Sequence, residues 1–377
     1  MTDSKKCHTI LIYTPVYILF SFFFTVSLSN LRVKMDEKKA LRTITRADIA
    51  KEAQVTETIV SYVINGNRYV ASEKRLRVEQ AIAKLKYRPN ALARALKGKK
   101  LNHLLFVADD IQGDYFGKLI SEIDNFAYDE AYFISLCADR MDEDFVDRIY
   151  SRFFDGIIIG SANFPLKNIQ RLVNANIPIV LLEVRDYSSI TGVYGLINTG
   201  LYRGARNCVR ALYDKGRRNL LYLDKINKDG SKSDRSDWRL KGFQDQLEEY
   251  GLPATERNII AGCRSDEELV AAIEQKVKHE GFIPDGIFGR NDYMALLGME
   301  AVKSLGYHIP ADISVIGFDN SRLCRFSTPK LSSMEIQQKE IARTIMKMMI
   351  SLLDNRDSYS TRIEEHLETQ LIMRSSI

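Results

Sequence analysis

Apolar residues recur along this chain with two different periods. Between residues 45 and 87 the period is helical: Ile49, Ala50 and Ala53, then Ile59, Val60, Val63 and Ile64, then Leu76, Val78, Ala81, Ile82 and Leu85. Thr45-Arg46-Ala47-Asp48 has the form of a capping box opening the first helix. The Thr56 hydroxyl is placed to cap the second, "ETIVSYVIN", across a four-residue turn, and Ser72 to cap the third after the loop "NGNRYV". "NALARALKGKK", residues 90–100, predicts one more helix, capped by Asn90 and ended by Gly98, too short to be stable alone. From residue 101 the pattern changes to short apolar runs separated by amphipathic stretches. "HLLFVAD", "AYFISLC", "GIIIGS" and "PIVLLEV" form one set of four strands, and "NLLYLDK", "NIIAG", "GIFGR" and "SVIGFD" a second. Such runs predict parallel sheets in α/β layers. Two sets imply two lobes, with a ligand cleft at the carboxyl ends of their strands.

Charge sharpens this division. Residues 36–100 hold 16 Lys and Arg against 7 Asp and Glu, whereas residues 101–377 are net acidic within a chain of net charge +5. A basic module joined to an acidic body suggests a nucleic-acid-binding end and a body with another task. The five cysteines, Cys7, Cys137, Cys208, Cys263 and Cys324, are odd in number and show no C-x-x-C spacing, which fits a reducing compartment. The five histidines have no metal-ligand spacing. Neither a nucleophile elbow, a P-loop nor a G-x-G-x-x-G is present, so neither an enzyme nor a bound cofactor is expected.

Two helices across a tight turn with a third closing a small core make a helix-turn-helix unit. The segment from Asp48 to Lys100 resembles the DNA-binding headpiece of the lactose-repressor/galactose-repressor (LacI/GalR) family. The likeness runs through Asp48-Ile49-Ala50, Val55-Thr56, Val60-Ser61, Asn65-Gly66 and Tyr87-Arg88-Pro89-Asn90-Ala91-Leu92-Ala93-Arg94-Ala95-Leu96. It implies operator contacts from Thr45, Thr56, Glu57, Thr58, Ile59, Ser61, Tyr62, Asn65 and Tyr87. It also implies a hinge helix that orders in the minor groove, with Asn90, Ala93, Arg94, Leu96 and Lys99 among its DNA-binding residues, Leu96 as the wedge and the flanking positive charges meeting phosphates. Three positions depart from the family pattern: Gln54 where Gly is frequent, Ile59 where Thr is usual and Tyr62 where Arg is usual. The last two put the usual operator sequence in question.

The body resembles the periplasmic-binding-protein-like effector domain of the same family. "FDGIIIGS", "RLKGFQDQLEEYGL", "PDGIFGRNDYMALLGMEAVKSLGYHIPADISVIGFDNS" and "TPKLSSMEI" carry the likeness. It implies an effector cleft lined by Arg239, Asn291 and Asp319 from the second lobe and by Asp110, Tyr115 and Phe116 from the first. Taken alone, Asp319 reads as an ordinary strand-end carboxylate, and Tyr115 and Phe116 as lobe core. The expected fold is therefore α/β: a three-helix headpiece (35–88), a hinge (89–100) and a two-lobed effector-binding and dimerisation domain (101–377). The expected function is a cytoplasmic transcription regulator, a repressor, acting as a homodimer or dimer of dimers on double-stranded operator DNA under control of a sugar-like effector.

One segment points elsewhere. Residues 9–31 run 23 residues without a charge, as a signal peptide or membrane span would. A sugar-binding protein, secreted or anchored through 9–31, is the alternative it raises. A headpiece has no use outside the cell, and an anchor would leave little reach for docking on a duplex. Met35 begins "MDEKKALRTITRADIA", so residues 1–34 are expected not to belong to the native protein, and no membrane contact is expected.

Overall fold

The computed structural model describes residues 44–66, 68–87, 100–109, 113–139, 143–152 and 154–377. The leader (1–34) and hinge residues 89–99 lie outside this set. The chain divides into two compact units, with the boundary in sequence between Ala93 and Arg94.

The first unit contains α1 (Arg46–Ala53), α2 (Glu57–Asn65) and α3 (Ser72–Leu85). Thr45 caps α1 through the predicted box: its side chain accepts from Asp48 N, and its N–H donates to Asp48 Oδ2 at 2.8 Å. Three residues rather than four, Gln54 to Thr56, separate α1 from α2. Gln54 takes a left-handed conformation, φ 53°, where the turn favours Gly. Thr56 caps α2 as expected, accepting from Ile59 N at 3.4 Å. Ser72 does not cap α3. It is the first helical residue, and Ala71 precedes it with no side-chain cap. Ile49, Ala50, Ala53, Val60, Val78 and Ala81 make the core, and Val63, Ile64, Ile82 and Leu85 pack against it. Leu76, expected on that inner face, is 55% exposed.

The second unit has two sheets. Its strands are β1 (His103–Ala108), β2 (Phe133–Ala138), β3 (Gly156–Ile159), β4 (Ile179–Leu182), β5 (Gly195–Asn198), β6 (Leu220–Leu223), β7 (Ile259–Ile260), β8 (Gly286–Gly289), β9 (Ser314–Phe318), β10 (Ser332–Ile336), β11 (Ile363–His366) and β12 (Thr369–Ile372). The first sheet runs β11-β5-β4-β3-β1-β2, every pair parallel. The second runs β12-β10-β9-β8-β6-β7, parallel except for β12 on β10. All eight predicted strands are present. β5, β10, β11 and β12 were not expected from the apolar runs, and they complete each sheet to six.

Helices α4 (Asp114–Asp129), α5 (Glu143–Tyr150) and α6 (Leu166–Asn174) belong to the first lobe. α7 (Leu201–Asp214), α8 (Trp238–Glu249), α9 (Asp266–Lys278) and α10 (Asp292–Ser304) belong to the second. The chain crosses between lobes after β5, returns after β10 into α11 (Gln338–Asn355) and β11, and crosses again into β12. Three crossings make the lobes a single folding unit rather than two beads. One core spans them, from Leu104 and Phe106 through Ile345 and Met349 of α11 to Phe288 and Phe318.

Candidate effector cleft and DNA-reading helix

The second lobe's cleft wall is a chain of ion pairs. Asp237 caps α8, accepting from Arg239 N (2.9 Å) and Leu240 N (3.2 Å). The same carboxylate takes Arg290 Nη2 at 2.7 Å, and Arg290 Nε lies 3.7 Å from Asp224. Burial opposes the charge on Asp237, but the guanidiniums of Arg290 and Arg239 outweigh it and hold the carboxyl well below the usual range. Arg290 in turn donates nothing to Arg239 but offers it a carbonyl: Arg239 Nη1 donates to Arg290 O at 3.2 Å. α8 therefore starts where it does because Asp237 is pinned, and Arg239 is aimed by its place in the first turn.

Arg239 and Asp319 face each other at 3.7 Å, beyond hydrogen-bond length, with side chains 11% and 12% exposed. Arg239 Nε and Asp319 Oδ1 are both buried without a hydrogen-bond partner. Burial raises the Asp319 carboxyl, only partly offset by Arg239 and Arg290. The backbone at Asp319 is left-handed, φ 97°, followed by Asn320 at 49°. A non-glycine residue held there stores strain, and such strain concentrates at ligand sites. Asn320 is secured from the C-terminus: Arg374 Nη2 donates to its Oδ1 at 2.6 Å, and its Nδ2 donates to Glu335 at 3.0 Å.

Asn291 caps α10 by accepting from Met294 N at 2.9 Å, which leaves its amide nitrogen as the group to face a ligand. Beside it Asp292 is buried, accepting from Ser333 Oγ (2.5 Å) and Ser321 N (2.6 Å). Burial, then the Asp319 carboxylate, push Asp292 up to about 7. Gly317 makes room for it, since a Cβ there would sit 2.3 Å from Asp292 Oδ1.

Across the cleft the first lobe supplies rings and hydroxyls. Tyr115 meets Phe116 edge-on at 5.0 Å, and Phe116 leans on Phe106 at 6.1 Å. The Tyr115 hydroxyl lies in the field of Asp319 and Arg239, and burial raises its pKa. At the strand ends Ser161 Oγ donates to Asp109 and lies 2.8 Å from Asp139, while Asp109 also accepts from Ala162 N at 2.9 Å. The enclosed space is about 640 Å³ and is lined by Tyr115, Phe116, Arg239, Asn291 and Asp319 among others. The structure thus gathers five of the six cleft residues expected from the sequence; Asp110 lies outside the described residues. It adds Asp109, Arg290 and Asp292. Asp237 could have been read as an N-cap before "WRLKGF"; nothing in the sequence singles out Arg290 or Asp292. A more open chamber of about 480 Å³ adjoins the cleft, with Arg185, Lys225, Lys228 and Lys232 on its walls.

In the first unit, Glu57, Thr58, Ser61, Tyr62 and Asn65 share the outward arc of α2. Ile59, which the sequence places both in the apolar period and among the operator contacts, is half-buried against the core, as is Tyr87. Asn90, Ala93, Arg94, Leu96 and Lys99 lie outside the described residues. Among the described residues no three His, Cys, Asp or Glu side chains cluster to hold a metal, and no helix is long and apolar enough to cross a membrane.

Residues 45–90 match the bacterial regulatory proteins of the lacI family, and residues 209–377 match a periplasmic binding protein-like domain. Catabolite control protein A of Priestia megaterium is 28% identical over 332 residues, covering 86% of this chain and 98% of its own. The HTH-type transcriptional repressor PurR of Proteus mirabilis is 28% identical over 339 residues, covering 88% and 96%. Among solved structures, the lac repressor dimer bound to operator and the anti-inducer ONPF superposes with a TM-score of 0.74 at 23% identity, over 89% of this chain and 99% of that one. A regulator from Enterococcus faecium with bound ribose gives 0.61 at 20% identity, over 73% and 98%. With its helix-turn-helix unit and its two six-stranded lobes, the chain carries a DNA-binding domain of the lacI family of bacterial regulatory proteins followed by a periplasmic binding protein-like domain.

Proposed function

We propose that this chain is a repressor that binds operator DNA as a homodimer and is switched by a sugar-like effector held in the cleft. The observation that carries the effector reading is the Arg239–Asp319 pair, whose Nη1 and Oδ1 stand 3.7 Å apart, with Arg239 Nε and Asp319 Oδ1 both buried and without a hydrogen-bond partner. A buried donor and a buried acceptor left open are costly unless something fills them. A polyol hydroxyl does so with one group, since it donates and accepts at once. Tyr115 and Phe116 add ring surface against a sugar face. The DNA reading rests on α2, capped at Thr56 and carrying its polar arc outward, in a module of net positive charge. The hinge at 89–100, with Leu96 as its wedge, belongs to the same reading.

The test is a thermal-shift screen of the whole chain against sugars, sugar phosphates and nucleosides, followed by gel shifts on its own promoter region with each ligand found. Sugar phosphates belong in the panel because of the lysines in the adjoining chamber. A ligand whose affinity changes with DNA present, by the same factor that it changes DNA affinity, supports the proposal. Stabilisation by a sugar together with no binding to any promoter DNA would favour a solute-binding protein instead.

A further inference from the structure

The outward arc of α2 ends in an arrangement that a capped helix does not require. Thr58 and Tyr62 stand one turn apart on it, and Ser61 and Asn65 are tied together, Asn65 Nδ2 donating to Ser61 O at 2.7 Å and to its Oγ at 3.0 Å. α2 then closes at Gly66 in the left-handed conformation, φ 64°, with its N–H on Tyr62 O. The guanidinium of exposed Arg68 comes to rest over the ring of half-buried Tyr62, 5.2 Å from its centroid.

We infer that Arg68 is a specificity residue of this headpiece, held over the Tyr62 ring so that its guanidinium meets a guanine edge in the major groove. The inference rests on the DNA-binding reading of α2. An exposed arginine on a loop has many rotamers to lose on binding. A ring beneath it fixes both the position and the plane of the fork before DNA arrives. Phosphate can be met by any mobile cation, so it does not require a fixed plane. The plane matters for guanine, whose O6 and N7 accept two parallel hydrogen bonds from one guanidinium. Tyr62 is then a positioning residue that acts through Arg68.

The experiment is selection from random double-stranded DNA with the full chain and with Arg68→Ala, Tyr62→Phe and Tyr62→Leu. The parent should enrich sites with guanine at one position of each half-site. Arg68→Ala should lose the preference at that position alone and bind the parent's site roughly 5- to 150-fold more weakly, the range for one bidentate base contact. Tyr62→Phe keeps the ring and should retain more of the guanine preference than Tyr62→Leu. Uniform weakening of Arg68→Ala on every sequence, with the salt dependence reduced by about one unit, would identify a phosphate contact and overturn the inference. An unchanged sequence preference in Arg68→Ala overturns it as well. Enrichment of no sequence by the parent chain would remove the DNA-binding reading itself, and this inference with it.

Discussion

At the cleft the second lobe presents Arg239, Arg290, Asp237, Asp292 and Asp319, whereas the first presents Tyr115, Phe116 and the hydroxyl–carboxylate contacts of Ser161. Both lobes rest on six-stranded sheets with strand ends at the same place. The second spends its sequence on a network in which each ionisable group is held by a specific partner: Asp224 and Asp237 by Arg290, Arg239 by the Asp237 cap, Asp292 by Ser333 and Ser321. The first spends it on surface that any ring-shaped ligand can lie against. A network fails as a unit when one member is lost, and a surface fails by degrees. The difference therefore predicts a steep response to mutation on one wall and a shallow one on the other.

The steepest expected effect is Asp237→Ala. It leaves Arg290 buried with its nearest carboxylate gone and removes the α8 cap. Loss of one partner of a buried pair costs about 3–5 kcal/mol, so chemical denaturation should show a loss of that order. A loss below about 1 kcal/mol would mean that Asp224 or water holds Arg290 without it, and the wall is not the unit described above.

Arg239→Ala comes next and acts on ligand binding rather than folding. Charge-assisted hydrogen bonds contribute about 1.5–3 kcal/mol, so affinity for a screened ligand should fall roughly 10- to 100-fold by calorimetry, with DNA affinity in the ligand's absence nearly intact. Asp319→Ala should resemble it. Unfolding of both variants would assign the pair to structure instead.

A smaller effect is one of pH. Asp292 is raised to about 7 in the folded state, far above an unfolded aspartate. A raised carboxyl is protonated in the fold and ionised in the unfolded chain between those values, so it stabilises at low pH and its contribution is lost as pH rises through about 7. Between pH 6 and 8 this amounts to about 1 kcal/mol. Asp319→Asn removes the neighbouring carboxylate that helps raise Asp292, and should flatten the fall in melting temperature across that window. An equally steep fall in the variant would separate the two carboxyls.

Smallest is the other wall. Tyr115→Phe keeps the ring and removes one neutral hydroxyl, for which about 0.5–1.5 kcal/mol of ligand affinity is at stake, a roughly 2- to 10-fold change. If it matches Arg239→Ala, the first lobe is not the passive surface that its geometry implies.

How much of this was written in the chain differs from element to element. The Thr45 and Thr56 caps were legible because a cap is a local competition between a hydroxyl and the next turn's N–H groups. The eight apolar strands were legible because burial on both faces leaves a continuous run. β11 and β12, "IEEH" and "TQLI", were not: they are edge strands with polar exposed positions, and only their partners β5 and β10 make them strands. Ser72 looked like a cap and is not one, since whether a helix starts at a residue or one before it is decided within the last hydrogen bond. Ile59 and Tyr62 stand three apart and are both half-buried; the apolar period already placed Ile59 with the core, and the packing adds that it rests against the headpiece cluster.

The sequence by itself determined the order of the units, the helix-turn-helix, the α/β layering and the identity of Arg239, Asn291 and Asp319 as residues worth watching. These follow from periodicity, local capping and resemblance, each of which acts over a few neighbouring residues or over the whole pattern at once. The tertiary structure decided what those residues face. Arg239 and Asp319 are 80 residues apart in the chain, Arg290 reaches back to Asp224 and Asp237, and Arg374 steadies Asn320 from the C-terminus. Contacts of that span depend on three chain crossings and on burial, which sets the strength of every charge in the cleft. Neither quantity is carried by a stretch of residues short enough to be read alone.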